Sequence, residues 1–100
     1  RIIGQLKTLT EGRWLWRGLL DGRPWEVSAY VNRPKAQVEW YEEPAHEAAK
    51  HHEGGGRTYT LDAFRAGAAE YWKRQYPQLY SVVLTYLEKH YPVENPHPED

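Results

Sequence analysis

The sequence predicts an α+β fold: a four-stranded antiparallel meander sheet with one face covered by a long C-terminal helix, kinked or broken at Pro77. Residues 13–32 place two runs rich in Trp, Leu, Val and Tyr on either side of Asp21-Gly22, a dipeptide suited to a tight reversal between antiparallel strands. From Trp25 the residues alternate. Trp25, Val27, Ala29 and Val31 point one way and Glu26, Ser28, Tyr30 and Asn32 the other, the period of two of a half-buried strand. From Leu61 the apolar residues fall at helical spacing instead: Leu61, Phe64, Ala68, Tyr71 and Trp72, then Leu79, Val83, Tyr86 and Leu87. An alternating sheet needs a cover for its apolar face, and this C-terminal segment is the element large enough to supply it.

Taken in order, the strands fall at about 2–10, 13–20, 25–32 and 36–42. Thr10-Glu11-Gly12 turns the first into the second, and Arg33-Pro34 ends the third because proline cannot donate to the ladder. Residues 44–53, PAHEAAKHHE, open with a proline suited to a first helical turn and read as a short, polar, exposed helix. Gly54-Gly55-Gly56 then reads as a hinge-like linker of high backbone entropy. Thr60 offers an N-cap to a helix over 61–75, with a second stretch over 77–90. Across Tyr76-Pro77 the apolar series keeps its phase, which favours one kinked helix over two. Residues 1–91 are thus expected to form one domain and 92–100 a proline-rich disordered tail. The expected core is Leu6, Trp14, Trp16, Leu20, Trp25, Val27, Val31, Val38, Trp40, Leu61, Phe64, Ala68, Trp72, Leu79, Val83 and Leu87.

Composition narrows the classes of function. No apolar run approaches the roughly 20 residues that span a bilayer, so the expectation is no membrane and a cytoplasmic setting. With no cysteine, disulfides, thiol catalysis and thiolate zinc sites are excluded. The lack of Cys and Met, with two Asn and four Gln, suits a thermophile, although chance and base composition give the same pattern in a short chain. Net charge is −1, so no global field draws the chain to nucleic acid or membrane. The distribution is uneven: seven cations stand against three acids over residues 1–38, and five glutamates against Lys50 over residues 39–56.

Motifs of catalysis are missing. His46-Glu47 and His51-His52 resemble a zinc-protease helix only in composition, because that motif needs its histidines four apart and position 50 is Lys. The segment is expected to be a solvated helix, with no metal and no cofactor assigned. Gly54–Gly56 does not follow a buried strand or lead into a Lys-Ser/Thr pair, so it is no phosphate loop. Ser28 and Ser81 lack a nucleophile-elbow context, and Glu42 and Glu43 point apart as neighbours on a strand.

What remains is the outer face of the sheet. With Trp14, Trp16, Trp25 and Trp40 inside, Lys7, Leu15, Arg17, Leu19, Tyr30, Lys35 and Tyr41 point outward. Leu15 and Leu19 with the two tyrosines make an apolar patch in need of a cover, which a second copy of the chain or another protein would supply. The expectation is therefore a non-enzymatic domain acting as a homodimer or protein-interaction module. The alternative is single-stranded nucleic acid, whose bases stack on rings while cations follow the phosphates. Four strands followed by a kinked helix resemble the layout of the whirly-type single-strand binders, without a shared sequence motif. Glu26 and Glu39 on the same face count against it.

Overall fold

The computed structural model describes residues 2–45 and 54–92. Five strands, β1 (Ile2–Thr10), β2 (Arg13–Leu20), β3 (Arg23–Asn32), β4 (Gln37–Pro44) and β5 (Gly55–Thr60), form one antiparallel sheet in the order β1-β2-β3-β4-β5. Three helices follow: α1 (Leu61–Arg65), α2 (Glu70–Gln75) and α3 (Pro77–His90). The α+β class, the antiparallel sheet and the C-terminal helical cover agree with the sequence; the strand count does not.

The central hairpin follows from its turn. Asp21 (φ 53°) and Gly22 (φ 83°) both lie in the left-handed region that a two-residue type I′ turn requires, and Leu20 pairs with Arg23 directly across it. Pairing begins at Arg23 rather than Trp25, and Pro24 is accepted within the strand, where its carbonyl takes the Ala45 N–H at 3.1 Å. That register sets Trp16 opposite Val27 and Trp14 opposite Ala29, so the inner face is apolar strand after strand. Trp14, Trp16, Trp25, Val27, Ala29, Val31, Val38 and Trp40 are all buried.

Trp14, Trp16 and Trp40 each meet a ring from the helical cover. Trp14 packs edge-on against Tyr86 (centroids 5.3 Å), Trp16 against Tyr76 (5.4 Å), and Trp40 stacks on Trp72 (5.3 Å, 26°). Such pairs are worth about 0.5–1.5 kcal/mol each beyond the area they bury.

Several expectations need correction. The fifth strand is built from the last two glycines of the triplet and the residues up to Thr60: Gly55 and Gly56 pair with Glu42 and Tyr41 as part of a strand, not a linker. Pro44 closes β4, buried opposite Trp25, and does not open a helix; the remainder of the expected polar helix, with His46, His51 and His52, lies outside the described residues, as do residues 93–100. Ala36, expected to open the fourth strand, is exposed in the β3–β4 turn at φ 53°.

The helical cover is broken twice. Gly67 at φ +100° ends the first segment, so Ala69 is buried and Ala68 is exposed. At Tyr76 (φ −132°, ψ 65°) the chain leaves helical geometry, because the residue before a proline is pushed out of the α region. Tyr76 still accepts the Tyr80 N–H at 2.9 Å and donates its own to Trp72 O at 2.8 Å, which keeps the two helices in phase without making them one. Tyr76 and Tyr80 join the core, while Leu6 and Leu20 are only half-buried against it.

Candidate interaction surface

The helices all lie on the inner face, and the strand register fixes what the other face presents. One row across the sheet reads Lys7, Leu15, Ser28, Tyr41, Gly56; the next reads Gln5, Arg17, Glu26, Glu43. Of the residues expected there, Lys7, Leu15, Arg17, Leu19, Tyr30 and Tyr41 share this face. Lys35 does not: it sits in the β3–β4 turn, its N–H donating to Asn32 Oδ1, and it borders a cavity with Thr60, Asp62, Arg65 and Tyr91 at the end of the sheet.

Two residues join the face beyond that set. Arg13 has the parity of Leu15 and Arg17 on β2, and its guanidinium lies 3.9 Å over the centre of the Tyr30 ring. Leu9 is the extra residue of a bulge, since Thr8 pairs with Trp14 but Thr10 with Arg13. It is 49% exposed; Tyr41 is 42% exposed, and Leu19, towards the opposite end of the strands, 41%. A shallow depression of about 280 Å³ lies among Leu9, Arg13, Ser28, Tyr30, Glu39 and Tyr41.

The charges on this face are segregated. Lys7, Arg13 and Arg17 stand on β1 and β2, while Glu26, Glu39 and Glu43 stand on β3 and β4. Arg17 Nε donates to Glu26 at 2.8 Å across the boundary, and Asn32 donates to Glu39 at 3.0 Å. Glu26 also lies directly opposite Glu43, a like-charge neighbour. Among these described residues, three cations and three acids balance on this face, with the positive side at β1 and β2 and the negative side at β3 and β4.

A second constellation lies on the inner face. Glu42, with the inward parity of Trp40, accepts from the Tyr76 hydroxyl at 2.6 Å, the Tyr71 hydroxyl at 3.1 Å and the Trp25 indole at 3.2 Å. Burial, then the neighbouring carboxylate, pushes both tyrosine hydroxyls above their ordinary range, Tyr76 far more than Tyr71. The adjoining cavity of about 370 Å³ is lined by Trp40, Glu42, Gly55, Gly56, Arg57 and Tyr71. The signal for this cluster in the sequence is an acid on an otherwise apolar strand face, which demands donors.

Among the described residues, no group of three or more His, Asp or Glu side chains gathers as metal ligands, and no helix is long and apolar enough to cross a membrane. Compared with protein-family models, curated proteins and solved structures, the chain matches none of them.

Proposed function

We propose that this domain is a non-enzymatic interaction module that works through the sheet face that no described helix covers, by pairing with a second copy of itself. The supporting observation is the pairing of a sheet whose helices all cover one side with exposed Leu9, Leu19 and Tyr41 on the other. Apolar side chains exposed on the sheet face that no described helix covers are what this reading takes for an association surface. The chemistry of the two polar constellations fits a non-catalytic reading: the Glu42 carboxylate is held by three donors, and Ser28 on the outer face pairs with Leu15 and Tyr41, with no base among those partners.

Sedimentation of the wild type and of Leu15→Glu/Leu19→Glu tests this. A wild-type dimer in the absence of nucleic acid, with a folded monomeric double variant, is the expected result, because the exposed leucines are lost from the associating face. Single-stranded nucleic acid makes the contrary forecast. Its binding through Lys7, Arg13 and Arg17 with stacking on Tyr30 and Tyr41 would fall steeply as salt rises. Three acids on the same face offset those three cations, which is why that reading stands second. A wild-type monomer that shifts only with labelled oligonucleotide at low salt overturns the proposal.

A further inference from the structure

The segregation of charge on the open face restricts how two copies can meet. We infer that they stack face to face about a two-fold axis running along the strands, between β2 and β3, an inference that rests on the self-pairing just proposed. Two axes in the plane between stacked sheets are available to an isologous pair. An axis across the strands lays each strand over its own equivalent, so Lys7, Arg13 and Arg17 on β1 and β2 meet the same cations of the second copy. Glu26, Glu39 and Glu43 on β3 and β4 likewise meet glutamates. An axis along the strands lays β1 over β4 and β2 over β3, so every charged column meets its opposite. Like charges brought together at an interface are strongly unfavourable, and this selects the second geometry.

Two rows show what that geometry brings together, one of them with a direct ion pair. In the row Gln5, Arg17, Glu26, Glu43, reversal sets Arg17 over Glu26 of the second copy and Gln5 over its Glu43. Two Arg17–Glu26 pairs then lie head to tail, and the repulsion between Glu26 and Glu43 within one chain is relieved by the incoming guanidinium. In the row Lys7, Leu15, Ser28, Tyr41, the ammonium of Lys7 comes over the ring of Tyr41, a cation–π contact, while Leu15 comes over Ser28 and lies near the axis, one strand from its own equivalent. Twisted sheets packed in this way keep their strands within about 30° of one another.

Cross-linking can read the axis, since the native chain has no cysteine to interfere. Lys7 and Tyr41 stand on strands three apart, so with the axis along the strands each is about 14 Å from its own equivalent, at about 4.8 Å per strand, but faces the other residue. Full-length Lys7→Cys and Tyr41→Cys are treated with a bismaleimide shorter than that distance, separately and after mixing under subunit exchange, with Leu15→Cys as the near-axis control. The expected result is a covalent dimer from the mixture and from Leu15→Cys, and none from Lys7→Cys or Tyr41→Cys alone. Gln5→Cys mixed with Glu43→Cys repeats the forecast one row away should Tyr41→Cys lose its far-UV circular dichroism. A dimer in which Lys7→Cys and Tyr41→Cys each link to themselves, or in which no mixture links, overturns the axis and leaves self-association standing. A monomer by sedimentation overturns both.

Discussion

Glu42 is the residue around which the inner polar chemistry gathers. Its three donors come from β3, from α2 and from Tyr76 at the break between α2 and α3, so one carboxylate ties strand to helix at the point where the helical cover is interrupted. Tyr76 is 2% exposed, and its hydroxyl would be a costly unmet donor without that acceptor. Its raised pKa carries a sign: the folded state holds the phenolic proton more tightly than the unfolded chain does. The stability this confers is complete below the unfolded value of about 10 and is lost as pH rises beyond it. Denaturant titrations should therefore show wild-type stability falling above about pH 10, with a flatter alkaline limb in Tyr76→Phe. Equal alkaline slopes would remove Tyr76 from the account.

Among the elements, β5 is the one whose sequence is most misleading in isolation. Three glycines suggest slack chain, but a Cβ on Gly56 would stand 2.6 Å from Trp40 O and 2.7 Å from Tyr41 Cδ1. The glycine is there to let the Tyr41 ring lie along the neighbouring strand. Gly55 has open space at the same position, with nothing within 4 Å. Gly56→Ala should thus cost about 1–3 kcal/mol, as overpacking does, whereas Gly55→Ala should be neutral or stabilising by up to about 1 kcal/mol through the unfolded chain. A linker would respond alike at both positions, so paired urea curves separate the two readings. The same device recurs on β1, where a Cβ on Gly4 would run into the Trp16 indole. The helices show a related economy: Arg65, near the end of α1, donates through Nη2 to Leu87 O at 3.2 Å and to Tyr91 O, satisfying carbonyls at the C-terminus of α3.

At the scale of the whole molecule, the two faces of the sheet differ: one is packed under the helices and the other carries the proposed association. Neighbours on one strand should accordingly respond in opposite ways. Trp16→Ala, removing a ring that is 3% exposed and packed on Tyr76, should cost about 3–5 kcal/mol in urea denaturation. The Leu15→Glu/Leu19→Glu variant should cost the isolated fold little and act on association alone. A double variant that unfolds would mean that the outer leucines support the fold itself. The neutrality of the outer face belongs to this scale too, since it emerges only when four strands lie side by side.

The alternation of Trp25, Val27, Ala29 and Val31 about Asp21-Gly22 determined the central hairpin, its inner face and its turn, because a period of two and a demand for positive φ are local properties of the chain. The helical spacing from Leu61 likewise determined that a helical cover exists. What only the tertiary structure decided are features that depend on a neighbour: Gly56 becomes strand because Tyr41 lies beside it, and Pro44 becomes strand because Trp25 faces it. Tyr76 leaves the helix by a local rule, yet its place in the core comes from Trp16 and Glu42, residues far away in the chain. The outer site was legible as parity, which named Leu15, Arg17, Leu19, Tyr30 and Tyr41. Leu9 has the parity of Lys7 and was legible by the same rule, Lys35 was misplaced by a turn, and the division of charge across the face waited on the register. Side-chain direction is written in the local period of a strand, whereas adjacency is written only in the pairing of strands.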